Sequence, residues 1–374
     1  MIPIAATDLP ALYTKITWLA FLLAFALGAI AQRSHFCIMG AIADAFNFGD
    51  KTRLRQWLMA LGIALIGTQT LSALGLIDTT QSLYAQPRLA WLGHLLGGTL
   101  FGFGMVLAGG CASRNLVRLG SGNLRALVVV LVVGLTAFMA LRGLLGVFRV
   151  DLIEPFVIEF AHAQDLPTLL ANITNTHRSS LQWVLGLGVG GALLAYALMD
   201  RAFLTLDHVA AGLIIGGAVA GLWFVSGSLG YLPEHPETLE AAFVRTNSGR
   251  MESFSFVAPV AYTLDWLLFF SDTHRVITLG IAAVLGVVLG SMAMALSTGQ
   301  FRWEGFSGAD DTAHHLIGAA LMGTGGVLAL GCTVGQGLSG LSTLAIGSFI
   351  SVAGIVFGAL LALRYQIWRV ARMP

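Results

Sequence analysis

The residues of this chain with the most distinctive chemistry are three cysteines, two of which close a duplicated segment. The segment reads HLLGGTLFGFGMVLAGGC from His94 to Cys111 and HLIGAALMGTGGVLALGC from His315 to Cys332. The copies align without a gap, and eleven of their eighteen positions are identical. A duplicated apolar segment of membrane length is typical of transporters whose related halves meet around a central site. The repeat therefore predicts a site where the two cysteine-bearing copies meet.

The thiol group itself indicates which ligands the site would take. A neutral thiol is a weak hydrogen-bond donor with a soft, polarizable sulfur, so it suits a soft, partly dehydrated sulfur anion. Weak binding also suits passage, because the ligand must leave as well as enter. The plain alternative for any single cysteine is that it packs as a small buried hydrophobe.

A soft metal ion is the competing ligand, since cysteine and histidine together can hold one. His94 and His315, however, each lie seventeen residues before the cysteine of their own copy. That separation is about 25 Å along a helix. The spacing excludes a metal site within one copy, and it predicts that the two histidines anchor the helix starts at the membrane interface.

Glycine and polar residues surround the cysteines in a pattern that favours anion binding. A helix N-terminus offers free N–H groups, and glycine lets the backbone approach a ligand closely. Basic residues near the first and second cysteines add positive charge, whereas the bland alternative is that the glycines only permit tight helix crossings. The candidate anion-site residues are Arg33, His35, Gly110, Arg114, Asn115, Gly331, Gly335 and Gln336.

Composition places these residues in a membrane. The chain has 374 residues, of which 56% are hydrophobic and only 10% charged, whereas soluble domains carry about a quarter charged residues. A net charge of +1 provides no basic field for nucleic acid, and an odd number of cysteines argues against a disulfide framework. We therefore expect an all-α polytopic membrane protein with lipid around it.

Nine stretches approach the ~20 apolar residues that a spanning helix needs. Basic residues follow the first stretch at Lys51–Arg55 and occupy the C-terminal tail, so both regions are predicted to be cytoplasmic and the N-terminus outside. With nine spans the two cysteine-bearing copies run in opposite directions, which predicts an inverted repeat with pseudo-two-fold symmetry. The predicted spans are 17–35, 57–77, 91–109, 126–147, 182–199, 208–230, 275–298, 314–331 and 346–363.

The sequence is expected to form one transmembrane domain over residues 1–374. Residues 1–147 are predicted to be the first repeat half and 275–374 the second, with 148–274 holding a peripheral segment, central helices and an external loop. The short polar stretches Ala112–Leu124 and Thr333–Thr343 are predicted to be re-entrant half-helices. Phe148–Ser180 is predicted to be a peripheral amphipathic segment and Tyr231–Pro259 an external loop. No carboxylate lies squarely within a predicted span, so the energy coupling stays open.

Four motifs carry a resemblance to a known family. They are QRSHFC at 32–37, GGCASRNLVR at 109–118, GCTVGQG at 331–337 and ESFSFVAP at 252–259. With these motifs the chain resembles the YeeE/YedE family of bacterial inner-membrane sulfur transporters, whose characterised members take up thiosulfate. The resemblance implies nine spanning helices plus half-helices, with neither cofactor, metal nor enzymatic activity. It also implies a constricted path on which Cys37, Cys111 and Cys332 contact thiosulfate in turn through S–H···S hydrogen bonds, and a separate cytoplasmic TusA-type sulfur-carrier partner.

Other functions stay open from the sequence. The substrate can be a selenium species, another sulfur compound or a metal ion instead of thiosulfate. A membrane thiol sulfurtransferase or oxidoreductase is the alternative from a different class, and it would need a cysteine of low pKa. Against that alternative, the chain has no Cys-x-x-Cys pair and no resolving cysteine nearby in sequence.

Overall fold

The computed structural model describes residues 8–236, 238–306 and 308–372, which are mostly helical. Two short antiparallel strand pairs join loops, namely β1 (Arg88–Leu89) with β2 (Ile158–Glu159) and β3 (Tyr231–Leu232) with β4 (Ala242–Phe243). Three π-helical turns occur at Arg149–Ile153, Val225–Leu229 and Gly335–Gly340. The α-helices are α1 (Leu9–Arg33), α2 (Ile38–Asn47), α3 (Thr52–Ala73), α4 (Trp91–Leu107), α5 (Ala112–Gly120), α6 (Leu124–Arg142), α7 (Leu144–Phe148), α8 (Leu166–Thr174), α9 (Arg178–Leu198), α10 (Leu206–Phe224), α11 (Val257–Leu268), α12 (Leu279–Ser297), α13 (Ala309–Leu328) and α14 (Ile346–Val370).

The predicted all-α polytopic membrane fold is confirmed. Within the described residues, seven helical stretches are long and apolar enough to cross a membrane. The other two predicted spans fall on α3 and α13, which have 22 and 20 residues but more polar sequences. The seven stretches are Leu9–Asn47, Trp91–Gly120, Leu124–Arg142, Arg178–Leu198, Leu206–Leu229, Leu279–Ser297 and Ile346–Val370.

Contacts between loops define two faces of the bundle. On the N-terminal face, where α1 begins, Arg178 forms an ion pair with Asp78 at 3.5 Å and β1 pairs with β2. On the C-terminal face, where α14 ends, Arg33 forms an ion pair with Asp207 at 2.7 Å. The long helices run between these faces in alternate directions. The short segments that connect them therefore lie at one face or the other.

The crossing of α4 and α13 has a local two-fold relation. A Cβ atom on Gly97 would lie 2.7 Å from the carbonyl oxygen of Gly325, and one on Gly318 would lie 2.6 Å from that of Gly104. The duplicated segments align Gly97 with Gly318 and Gly104 with Gly325. The two contacts are therefore exchanged by the rotation that an inverted repeat requires. Packing follows the same exchange, because α4 packs on α14 while α13 packs on α6.

The segment predicted to be peripheral, Phe148–Ser180, enters the core at one point, so that prediction is wrong there. Asp165 is fully buried, caps α8 by accepting the Thr168 amide, and forms an ion pair with Arg178 at 3.3 Å. The Leu166 amide donates to the Leu344 carbonyl at 3.0 Å. The charges of this segment suggested a solvated surface, but pairing lets one of them lie inside the protein.

The stretch predicted to be an external loop, Tyr231–Pro259, also turns inward after its β3–β4 hairpin. Met251, Phe254 and Phe256 are at most 1% exposed, and hydroxyl groups of this stretch and of the helices donate to backbone carbonyls across the contact. Ser253 donates to the Val219 carbonyl at 3.0 Å, and Ser339 donates to the Phe254 carbonyl at 2.8 Å. Prolines and charges in the first half of the stretch concealed an apolar second half that packs in the core.

Candidate functional site

Each of the three cysteines follows a helix break of the same geometry. A residue with positive φ stands two positions before the cysteine, namely His35 (φ 52°), Gly109 (φ 67°) and Leu330 (φ 56°). These residues end α1, α4 and α13, and a short helix begins directly after each cysteine. The short helices are α2, α5 and the helical segment 333–342. The sequence predicted the second and third breaks, where a glycine directly precedes the cysteine, but missed the first, where no glycine stands between the end of α1 and Cys37.

The sulfur atoms of Cys37 and Cys332 cap the short helices that follow them. Cys37 Sγ accepts the Gly40 amide at 3.4 Å, and Cys332 Sγ accepts the Gly335 amide at 3.4 Å. Cys111 occupies the equivalent position, where its sulfur lies 3.2 Å from Ser113 Oγ. A thiol that accepts a backbone amide keeps its own S–H proton available for another acceptor. The breaks therefore present weak donors at the ends of three helices.

The structure brings all three cysteines together. Cys37 and Cys111 are close neighbours, although they follow different long helices, α1 and α4. Cys332 interacts electrostatically with Cys111, and the hydroxyl of Thr333 lies beside the Cys111 sulfur. Cys111 and Cys332 are 2% and 0% exposed, whereas Cys37 is half-buried. The three cysteines and Thr333 therefore form a row of thiol and hydroxyl groups inside the protein.

Two cavities approach Cys332. The N-terminal-face cavity, of about 140 Å³, is lined by loop residues such as Leu83 and Asn247 and reaches Gly331. The α2 cavity, of about 350 Å³, is lined by α2, the start of α3 and α14, and it reaches Thr333. Cys332 is fully buried. The two cavities therefore reach the two residues that flank Cys332 in the chain, although neither cavity is lined by a cysteine.

Charge differs between the two sides of the row. Arg114 interacts electrostatically with Cys37 and His35, and its Nη1 has no hydrogen-bond partner among the described residues. Arg53 lies next to the same break, because a Cβ atom on Gly40 would meet Arg53 Nη1 at 2.7 Å. The N-terminal-face cavity carries the carboxylate of Glu252 instead, and burial raises the pKa of that carboxyl group. Positive charge is thus concentrated where Cys37 and Cys111 meet.

Asn115 and Gln336 hold their breaks in equivalent ways. The Asn115 side-chain amide donates to the Gly110 carbonyl at 2.8 Å, and the Gln336 side-chain amide donates to the Ala329 carbonyl. Both donors are therefore used inside the protein, which makes these residues braces of the breaks. Gly110 and Gly331 leave room for these side chains. A Cβ atom on Gly110 would crowd Arg114, and one on Gly331 would crowd Gln336.

Arg33 is engaged away from the cysteines. Its guanidinium group donates to Asp207 at 2.7 Å, and both side chains are about half exposed. His35, two residues later, is also exposed but faces Arg114 and Arg53. Of the two basic residues predicted beside Cys37, the structure therefore brings only His35 toward the cysteine row.

The two repeated histidines lie beside the break of the opposite copy. His94 is 2% exposed and its Nδ1 lies 2.7 Å from Ser351 Oγ, which in turn donates to the Ala329 carbonyl at 3.4 Å. His315 stands next to the other break, because a Cβ atom on Gly109 would lie 3.4 Å from its Nε2. The expectation of interfacial anchors is wrong for both, since antiparallel packing carries each histidine into the bundle.

Two hydroxyl residues near Cys332 were missed by the sequence analysis. The hydroxyl groups of Tyr84 and Ser255 lie beside each other, and both residues line the N-terminal-face cavity. Ser255 lay within the ESFSFVAP motif, whereas Tyr84 had no signal beyond its place in a loop. In residues 8–236, 238–306 and 308–372, no group of three or more His, Cys, Asp or Glu side chains is arranged to hold a metal ion.

Comparison with known proteins gives matches over nearly the whole chain. A family model described as sulphur transport matches residues 33–361. The chain is 25% identical over 354 residues to the thiosulfate transporter TsuA of Spirochaeta thermophila, covering 91% of this chain and 96% of that protein. It is 23% identical over 359 residues to the thiosulfate transporter TsuA of Escherichia coli, covering 89% of each. A shorter match, 33% over 107 residues, joins 28% of the chain to 24% of the probable transporter YedE of Escherichia coli.

Proposed function

The chain belongs to the sulphur-transport family, and we infer from this that it takes up thiosulfate or a closely related sulfur anion. The membrane would be the inner membrane of a bacterium, with the N-terminal face outside and the C-terminal face in the cytoplasm. Two relatives that align over most of their length are named thiosulfate transporters. The observation that carries the proposal is the row of three cysteines, with one cavity reaching Gly331 and another reaching Thr333 beside Cys332.

In the proposed mechanism the anion passes from one thiol to the next. It enters the N-terminal-face cavity and accepts a hydrogen bond from the thiol of Cys332. It then moves past Thr333 to Cys111 and Cys37. Each contact is a weak hydrogen bond to a soft sulfur, so no single site traps the anion. The positive charge of Arg114 stabilises the dehydrated anion where Cys111 and Cys37 meet.

The supporting groups act mainly through the backbone in this mechanism. Gly335 supplies the amide that orients the Cys332 sulfur, Arg114 supplies positive charge near Cys37, and His35 forms the break before that cysteine. Asn115 and Gln336 keep the breaks in shape. Arg33 takes part in an exposed ion pair and has no role on the proposed path.

We also propose how the chain is divided and what it hands its cargo to. Residues 1–147 and 275–374 would be the inverted halves of one transmembrane domain, with 148–274 between them, and the two-fold crossing of α4 and α13 supports this. A separate TusA-type carrier would receive the sulfur at the C-terminal face. The positively charged starts of the helices near Cys37 and Arg53 open toward that face. Their charge suits the transfer of an anion to an acceptor there.

Uptake of radiolabelled thiosulfate into proteoliposomes tests the proposal. Cys37→Ala, Cys111→Ala and Cys332→Ala should each lower the uptake rate about tenfold or more, because a hydrogen bond to a charged ligand is worth about 1.5–3 kcal/mol. Ser297→Ala, an exposed change at the end of α12, is the control and should transport like the wild type. Wild-type uptake by all three cysteine variants would refute the thiol path. Suppression of uptake by selenite instead would indicate a selenium substrate.

The contact of Cys37 with Cys111 also favours a second candidate function, a membrane thiol oxidoreductase or sulfurtransferase. Sequence spacing provided no resolving cysteine, but the fold places one thiol against the other. Mass spectrometry of the purified protein after exposure to thiosulfate separates the two functions. A persulfide on either cysteine, or a disulfide between them, would favour the enzyme, whereas unmodified cysteines during active uptake would favour transport.

A further inference from the structure

The N-terminal-face cavity offers few polar groups to an anion that approaches Cys332. Most of its lining is apolar, and several polar side chains already have partners inside the protein. Ser253 donates to the Val219 carbonyl at 3.0 Å, and the Asn247 side chain donates to Thr278 Oγ1 at 3.0 Å. Glu252 accepts the Ser248 amide at 2.8 Å and would repel an anion. Near Cys332, the remaining donors are the hydroxyl groups of Tyr84 and Ser255.

These two hydroxyl groups lie directly against the helix start that orients Cys332. A Cβ atom on Gly335 would be 2.7 Å from Ser255 Oγ and 3.2 Å from the Tyr84 hydroxyl. The amide of the same glycine donates to Cys332 Sγ at 3.4 Å. One glycine thus separates the hydroxyl pair from the thiol, and its missing side chain keeps that space open.

Both hydroxyl residues are held rigidly. The backbone before Ser255 is fixed by the hydrogen bond from Ser339 to the Phe254 carbonyl, and the rings of Phe254 and Phe256 stack with centroids 6.1 Å apart. The ring of Tyr84 is 4% exposed and meets Trp223 edge to face at 6.1 Å. Groups fixed in this way lose little entropy when they bind a ligand.

The chemistry of the two donor types is complementary. Hydroxyl groups are good donors to hard oxygen atoms, whereas a thiol is a weak donor that suits a soft sulfur atom. The two hydroxyl groups lie next to the same glycine, Gly335. An oxyanion bound there can accept one hydrogen bond from each of them.

We propose that Tyr84 and Ser255 bind the oxygen atoms of a sulfur oxyanion while Cys332 binds its terminal sulfur. The pair would orient the anion with its sulfur atom toward the cysteine row and would favour oxyanions that carry such a sulfur. This inference rests on the proposed function, because it assigns the first binding step of the same path.

Binding of radiolabelled thiosulfate to the purified protein in detergent tests the pair, with unlabelled sulfate as competitor. Tyr84→Phe and Ser255→Ala should each raise the Kd for thiosulfate about tenfold and weaken competition by sulfate by a similar factor. Cys332→Ala should raise the Kd for thiosulfate but leave the inhibition constant of sulfate unchanged, because sulfate has no terminal sulfur. A general structural defect would weaken the binding of thiosulfate and of sulfate alike.

Tyr262→Phe is the matched control, since Tyr262 lines the same cavity. Its side chain is not among the nearest neighbours of a Cβ atom placed on Gly335. It should bind both anions like the wild type. Unchanged affinities in Tyr84→Phe and Ser255→Ala, with intact uptake by the wild type, would overturn this inference and leave the transport function standing. Wild-type binding without any uptake would instead overturn the transport function and leave the hydroxyl site standing.

Discussion

The α4–α13 crossing yields a prediction that two distant glycines respond alike to the same substitution. A Cβ atom on Gly104 would lie 2.5 Å from the Gly318 carbonyl oxygen, and one on Gly325 would lie 2.6 Å from the Gly97 carbonyl oxygen. Since Cβ atoms essentially never come within 3.0 Å of such a neighbour, the helices must separate by about half an ångström. Gly104→Ala and Gly325→Ala should each destabilise the protein by about 1–3 kcal/mol.

The measurement is reversible unfolding of the purified protein in mixed micelles, together with uptake of thiosulfate. Gly191→Ala is the control, because a Cβ atom at this position of α9 has no neighbour within 4 Å. Alanine has a higher helix propensity than glycine, so the control should keep or raise stability. Uptake should fall in both crossing variants, since α4 and α13 position Cys111 and Cys332.

Two outcomes would refute the reasoning. If Gly104→Ala unfolds like the control, the backbones of α4 and α13 are not in the close contact described. If one of Gly104→Ala and Gly325→Ala loses stability while the other unfolds like the control, the two contacts are not related by the two-fold rotation.

Two further predictions concern charge. Arg114→Gln should lower the uptake rate about tenfold, because the guanidinium group lies beside Cys37. Arg33→Gln should take up thiosulfate at nearly the wild-type rate, because it breaks only an exposed ion pair with Asp207. Equal losses of radiolabelled uptake in the two variants would contradict this. Burial raises the pKa of Glu252, so stability should be greatest below the unfolded pKa of about 4.3 and should fall as pH rises through the folded pKa. Melting temperatures across pH should show this decline in the wild type and lose it in Glu252→Gln.

Much of the fold could be predicted from the sequence because its signals are strong and local. Apolar runs of membrane length and two gap-free copies are visible without any tertiary information, and they placed Cys111 and Cys332 at helix breaks. Gly-Cys at the end of each copy was a sufficient sign of a break, since glycine marks places where a helix stops.

The remaining features depend on contacts between distant segments. The break at His35 had no glycine to announce it, and its left-handed backbone is maintained by the packing around it. The buried course of Met251, Phe254 and Phe256 was hidden because hydroxyl groups on other helices satisfy its backbone. Such partners lie up to 85 residues away, as Ser339 does from Phe254, beyond the reach of any pattern in one window.

The contact of Cys37 with Cys111 shows the same limit for the site. Seventy-four positions separate the two cysteines in the sequence, yet their thiols are neighbours. The repeat related Cys111 to Cys332 but was silent about Cys37, which has no counterpart in the duplicated segment. Only the packing of α1 and its short partner α2 against the rest of the bundle joins it to the row.

The placement of His94 and His315 makes the two copies of the repeat depend on each other. Each histidine opens one copy but stands beside the break of the other, His94 near Ala329 and His315 near Gly109. Each copy therefore contributes a side chain to the surroundings of the other copy's cysteine. Removing or replacing one copy alone would take away a neighbour of the remaining break.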